Sequence, residues 1–132
     1  MNMIRDSLRK YAPLLMACVV GWHCAATGFA QGYPARPVRI VVPFAPGGPT
    51  DALARLLAQQ LAERLAKPFI IDNRPGAGGN IGIGIVARAT PDGHTILMSS
   101  SSFVVNPSLY AAPGYDPFKD FAPVSNAGNS PS

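Results

Sequence analysis

The chain has 132 residues, a formal net charge of +4, 48% hydrophobic residues, 14 prolines, 13 glycines and two cysteines. That length holds one small domain once a leader is set aside, and two cysteines exclude a disulfide-dense scaffold. The basic residues form no cluster with interleaved aromatics, which argues against nucleic acid as a partner.

Residues 1–30 read as a secretory signal peptide. Arg5, Arg9 and Lys10 make a basic start, Leu14 to Gly21 an apolar run, and Gly28-Phe29-Ala30 a small-residue cleavage region before Gln31. An uncleaved anchor competes, because no charged side chain occurs from Tyr11 to Ala35, but His23, Thr27, Gln31 and the interspersed Gly and Pro make a poor bilayer span. Leu15-Met16-Ala17-Cys18 leaves a lipoprotein box as a minor alternative. Cys18 and Cys24 both fall in this leader, so the mature chain is expected to hold no disulfide and no thiolate metal site. From Gln31 onward eight Lys or Arg face six Asp or Glu, leaving +2. No internal repeat or charge block interrupts residues 31–124, and the polar end, residues 125–132, is expected to be disordered.

Val38 to Phe44 reads as a buried strand. Ala45-Pro46-Gly47-Gly48-Pro49 then turns, and Thr50 or Asp51 is placed to cap a helix running to Lys67. Leu53, Leu56, Leu57, Leu61 and Leu65 recur on one face of that helix, and Pro68 ends it. Phe69 to Asp72 is a short strand and Asn73 to Gly79 an irregular loop. Asn80 is placed to cap a second helix reaching about Ala89, Pro91-Asp92-Gly93 turns, and His94 to Ser99 makes a third strand. Strands alternating with helices favour parallel pairing, so the expected fold is a doubly wound α/β sheet. Ligands in such sheets bind beyond the carboxyl ends of the strands, where three loops rich in small residues lie. The first is the most informative, since amides at a helix N-terminus attract carboxylate or phosphate.

Other motifs weigh less. Gly82-Ile83-Gly84-Ile85-Val86-Ala87 fits a dinucleotide pattern but begins inside a helix, follows no strand and lacks the later acid, so close helix packing is the better reading. The first loop lacks the Gly-Lys-Ser/Thr ending of a P-loop. His94 and Asp92 lie at one end of a strand and Ser99 at the other, so no hydrolytic triad closes, and His94 is expected to be a half-exposed structural residue. Arg74 is expected to be solvated or paired with Asp72, with ligand contact the weaker option. The run Ser99 to Ser102 serves equally as linker or as a source of hydroxyls for a ligand carboxylate. Asp51 reads as a cap held ionised by helix amides, and Phe118 and Phe121 as inward-facing residues of a short helical turn.

Taken together, Tyr33-Pro34-Ala35-Arg36-Pro37, Val41-Val42-Pro43-Phe44-Ala45-Pro46-Gly47-Gly48-Pro49-Thr50-Asp51, Asn73-Arg74-Pro75-Gly76-Ala77-Gly78-Gly79-Asn80-Ile81-Gly82, Pro91-Asp92-Gly93-His94-Thr95, Asn106-Pro107-Ser108-Leu109-Tyr110 and Asp116-Pro117-Phe118-Lys119-Asp120-Phe121-Ala122-Pro123-Val124 resemble the substrate-binding proteins of tripartite tricarboxylate transporters, the Bug receptors. The resemblance implies a periplasmic-binding-protein fold, no cofactor, no metal and no catalysis. It also implies a small carboxylate ligand delivered to membrane permease subunits, and a periplasmic location. Carried over to this sequence, the ligand-binding positions are Ala45, Pro46, Gly47, Gly48, Thr50 and Asp51 in the first loop, Gly78, Gly79 and Asn80 in the second, and Ser100, Ser101 and Ser102 in the third. His94 stands where the family commonly has tyrosine. The family is longer and closes a second domain over the ligand, so residues 31–124 correspond to part of a first domain and the chain is expected to be a truncated receptor. A carboxylate held against one wall stays in contact with water, so the isolated chain is expected to bind dicarboxylates weakly or undetectably. The alternatives are a secreted α/β enzyme using His94 and a loop serine, or a structural or interaction fragment that binds no ligand.

Overall fold

The order of elements in the computed structural model, which describes residues 32–128, is β1 (Val38–Val42), α1 (Pro49–Leu65), β2 (Phe69–Asn73), a 3-10 turn (Ala77–Gly79), α2 (Asn80–Ala87), β3 (Thr95–Leu97) and α3 (Ser102–Leu109). The leader expected over residues 1–30, and the last four residues of the polar end, lie outside the described residues. Residues 125–128 carry no regular secondary structure and are exposed. Among the described residues no helix is long and apolar enough to cross a membrane.

The three strands form a parallel sheet in the order β2-β1-β3. Val38 pairs with Phe69 and Val42 with Asn73 on one side of β1, and Arg39 pairs with Thr95 and Val41 with Leu97 on the other. Connections between parallel neighbours need a crossover, and α1 and α2 supply the two. Ile40 and Val42 cluster with Ala54 and Ala58 of α1. Side chains alternate along a strand, so Val41 and Pro43 face the other side, where α2 lies. Val38, Val41, Val42 and Ile83 are fully buried, each contributing about 2 kcal/mol of apolar burial. A central strand covered on both faces shows little polar alternation, which is why β1 reads as apolar apart from Arg39, whose guanidinium pairs with Asp72 of the neighbouring strand.

Several local expectations need correction. β1 ends at Val42, with Pro43 and Phe44 continuing as a bend, and β3 spans only Thr95–Leu97. The residue capping α1 is Gly48, with Pro49 at the first helical position and no side-chain cap from Thr50 or Asp51. The helix stops at Leu65 because Ala66 turns left-handed at φ 51°, ahead of Pro68. Its buried seam is Asp51, Ala54 and Ala58, not the leucine stripe, and Leu56 is 62% exposed. Small residues on that face let the helix backbone approach the sheet, which turns the leucines to the flanks. Likewise Gly79 precedes α2 as its cap, Asn80 is the first helical residue, and the helix ends at Ala87.

The serine run leads directly into α3, which has Pro107 inside it. Pro107 removes the N–H that would bond the Phe103 carbonyl one turn earlier. The Tyr115 hydroxyl donates to that carbonyl instead, at 2.9 Å, and burial raises its pKa. Phe103 stacks on Tyr115, and Phe121 meets both rings edge-on. Phe121 therefore faces inward as expected, whereas Phe118 points outward and is 88% exposed.

Candidate functional site

Three loops leave the carboxyl ends of the strands. The strand order reverses between β1 and β3, and the crevice outside their carboxyl ends is where an open parallel sheet accepts a ligand. Residues 43–48 follow β1 and residues 98–101 follow β3, so the first and third loops flank that crevice. The second, residues 74–79, leaves β2 and packs beside the first.

The first loop is held by a buried carboxylate. Asp51 is 2% exposed and lies in the first turn of α1. One of its oxygens accepts from the Gly47 N–H at 2.8 Å and from Arg55 Nε at 2.9 Å, and the other accepts from Asn73 Nδ2 at 2.9 Å. Asn73 Nδ2 also donates to the Phe44 carbonyl at 3.2 Å. Asp51 thus ties the loop, the helix and the end of β2 together, in place of the helix-amide cap expected for it. The bonds from Arg55, the Gly47 amide and Asn73 lower its pKa to about 2, so it is ionised at neutral pH. Arg55, one turn along, neutralises that charge. A second anion therefore does not meet an unpaired carboxylate at the helix start. Pro49 has no N–H, so Thr50 and Asp51 carry the free amides of the first turn, and the N–H of Ala52 returns to the Gly48 carbonyl at 2.9 Å. Ala45, Pro46 and Gly47 are exposed, and Gly47 takes φ +85°, a conformation that favours glycine.

The second loop runs through four consecutive residues with positive φ: Gly76, Ala77, Gly78 and Gly79. The Gly79 N–H donates to the Gly76 carbonyl, and the Asn80 N–H to the Ala77 carbonyl. These bonds close the turn and leave the Ala77 and Gly78 amides ahead of it as the loop's free donors. Gly79 and Asn80 are buried and Gly78 is exposed. A Cβ on Gly79 would lie 3.5 Å from Pro43 Cβ, so the second loop rests against the root of the first. Arg74 pairs with Asp72 through Nε at 2.9 Å, the local partner expected for it, and Asp72 also pairs with Arg39.

In the third loop Ser100 and Ser101 are exposed, Ser101 precedes α3 and Ser102 opens it. Ser100 Oγ lies 3.4 Å from Ser102 Oγ, while Ser99 Oγ is buried without a partner among the described residues. Asn106 of α3 donates to the Gly78 carbonyl, which joins this loop's helix to the second loop. The three groups of expected residues thus form one connected rim. Asn73, Arg55 and Asn106, which hold that rim, were not expected from the sequence. Asn73 and Asn106 lie in segments that carry the family resemblance, and Arg55 one turn after Asp51 in α1, but nothing in the sequence says that these side chains meet the loops.

A wider depression lies along β3, lined by Ile96, Leu97, Ser99, Phe103, Phe121 and Val124 among others, and does not include Gly47, Gly48, Gly78 or Gly79. Its walls are largely apolar, so the free amides of the rim are the better seat for an anion. His94 sits at the opposite, amino end of β3. Its side chain is only 11% exposed, more buried than expected, against the edge of Tyr33 and with Nδ1 3.1 Å from the Asp92 carbonyl. No serine of the third loop shares that end of the sheet.

Comparison with known proteins bears on the fold and the family. Residues 53–132 match the family model described as "Tripartite tricarboxylate transporter family receptor". The chain is 42% identical to Protein BugT of Bordetella pertussis over 123 residues, covering 88% of this chain and 38% of that protein. Among solved structures it is similar to the periplasmic binding protein BugD, with 52% identity and a TM-score of 0.65, covering 67% of this chain and 30% of that one. It is also similar to MatC from Rhodopseudomonas palustris with bound malate, with 42% identity and a TM-score of 0.61, covering 70% and 32%. The chain spans about a third of the length of these relatives. With a family model matched over more than half of its length, the chain belongs to the tripartite tricarboxylate transporter receptor family.

Proposed function

We propose that this chain supplies the amide-rich wall of a periplasmic receptor for small carboxylates, which passes its ligand to membrane permease subunits and catalyses no reaction. The observation that carries this reading is that the free amides of Thr50 and Asp51 and those of Ala77 and Gly78 lie in the loops beyond the carboxyl ends of β1 and β2, with Ser100, Ser101 and Ser102 beyond β3 and tied to the second loop through Asn106. Amides aligned at a helix start favour an anion, and a neutralised Asp51 does not oppose it. Ala45, Pro46, Gly47 and Gly48 shape the lip, and Gly79 and Asn80 its floor. Malate in the similar MatC structure supports a dicarboxylate as ligand. Residues 1–30 act as the export signal in this reading. Separation of His94 from every loop serine removes the acid–base pair that a hydrolase would need.

Titrating the isotopically labelled chain with malate, at constant ionic strength, tests the reading by amide NMR. The expected result is a saturable shift of the Gly48, Thr50, Gly78 and Ser100 amides with a dissociation constant on the order of millimolar, because one wall leaves the ligand in water. Shifts confined to residues lining the β3 depression, Ser100 included, with Gly48, Thr50 and Gly78 unmoved, or no saturable shift, would refute it.

A further inference from the structure

We infer that Asn106 is a positioning residue, one that sets the hydrogen-bonding polarity of the carboxylate site from the far side of the second loop. The inference rests on the carboxylate reading above for its function, though not for its geometry. Asn106 lies in the middle of α3 and is 5% exposed. Its Nδ2 donates to the Gly78 carbonyl at 2.9 Å and to Asn80 Oδ1 at 2.7 Å. A backbone carbonyl can only accept, so the first bond fixes which end of the Asn106 carboxamide faces the loop. Both amino hydrogens are then used, and the second bond fixes Asn80 in turn. Asn80 must point its oxygen at Asn106 and keep its own amino group as the remaining end. Among the described residues nothing accepts from that amino group. A relay of two amides therefore leaves a donor at Asn80. Were Asn80 reversed, it would offer an oxygen to an anionic ligand.

The same residue restrains an unusual backbone. Gly78 has φ +64°, within the run of four positive-φ residues that includes the non-glycine Ala77 at φ +47°. Such conformations persist only where surrounding contacts over-determine them. Tyr110, one turn after Asn106, brings its hydroxyl to within 2.8 Å of where a Gly78 Cβ would stand. Asn106 of α3 and Tyr110 just past its end thus both reach Gly78, an exposed donor of the loop. Because α3 begins at the serine run, Asn106 links the second and third loops directly. The first is held separately through Asp51.

Side-chain amide NMR on the full chain tests this before any ligand is added. The Asn106 NH2 pair is expected to be protected from exchange and the Asn80 pair to exchange readily. The reverse pattern, or two equally exposed pairs, would overturn the inference. Asn106→Asp then supplies a second reading. An aspartate cannot donate, so it accepts from Asn80 and reverses it. The Asn80 NH2 should become the protected pair, the Gly78 amide should exchange about tenfold faster, and apparent malate affinity should fall about tenfold. Ligand-free shifts of Gly48 and Thr50 should stay in place. An Asn106→Asp chain that binds malate like the wild type with Asn80 still unprotected would also overturn it. Should Asn106→Asp fail to fold, the wild-type protection pattern alone decides. Should the wild type ignore malate, the carboxylate reading fails, and the protection pattern still decides whether the relay exists.

Discussion

Gly82→Ala is expected to destabilise the chain by about 3 kcal/mol, although the same change at an unconstrained helix position stabilises by about 1 kcal/mol. A Cβ on Gly82 would lie 2.7 Å from the Arg74 carbonyl oxygen, 2.8 Å from Pro43 Cβ and 2.9 Å from Pro43 Cα. Two of these neighbours are backbone atoms, so no rotamer change relieves the overlap. Arg74 begins the second loop and is itself tied to β1, its N–H donating to the Val42 carbonyl at 2.8 Å. Pro43 begins the first loop. A methyl group at Gly82 therefore wedges α2 away from the roots of both loops at once. Gly84 is the internal control. Its added Cβ would meet the Arg88 guanidinium at 3.3 Å and the Gly114 carbonyl at 3.6 Å, and the flexible arginine can move aside. Gly84→Ala should change stability by less than about 1 kcal/mol. Chemical denaturation of both variants checks the contrast, and equal midpoints would mean that α2 does not approach the sheet this closely. A wedged α2 should also flatten the malate response of the Gly78 amide.

This contrast bears on how much the sequence disclosed. The pattern Gly82-Ile83-Gly84-Ile85-Val86-Ala87 was legible as a helix packed closely on a sheet, because its position inside a helix ruled out a dinucleotide turn. Which of its two glycines makes the contact was not legible, since Arg74 and Pro43 arrive from other elements. β1 was readable from its apolar run, interrupted only by Arg39, and the parallel order from the alternation of strand and helix. The buried face of α1 was not. Leucines and alanines both recur there at helical spacing, hydrophobicity ranks the leucines first, and the sheet selected the alanines because they allow close approach. α3 was missed for a similar reason. Four serines, β-branched Val104 and Val105 and an internal Pro107 all argue against a helix, and the Tyr115 hydroxyl that restores the lost bond to Phe103 lies 12 residues away. Glycine-rich loops were visible in the sequence because glycine acts locally. The residues that hold them act across the chain: Asn73 meets Asp51 over 22 positions and Asn106 meets Gly78 over 28.

Asp51→Asn is expected to lower the melting temperature by on the order of 5 °C and to release the first loop. Asparagine keeps the shape of aspartate but turns one of its two acceptors into a donor. All three partners of Asp51, the Gly47 amide, Arg55 and Asn73, are donors, so either orientation sets donor against donor. The variant also leaves Arg55 without its counter-charge. Acid titration separates this mechanism from a general loss of packing. The folded-state pKa of Asp51 is lowered from its ordinary 3.8 to about 2. Its stabilisation is therefore present in full above the unfolded value and is lost as pH falls from about 4 through about 2. Asparagine does not titrate, so the gap in melting temperature between wild type and variant should be constant near neutrality and shrink across that window. Asp72, Asp92 and Asp116, whose pKa values are also lowered, lose their own stabilisation in both proteins and cancel from the difference. The Gly47 amide, which reports directly on the bond, should titrate with a midpoint near 2 in the wild type and stay still in the variant. A gap that does not change with pH would mean that the ionised carboxylate is not what holds the loop. With the loop released, the Gly48 and Thr50 amides should lose their malate response while Gly78 keeps part of its own, since Asn106 holds the second loop independently of Asp51.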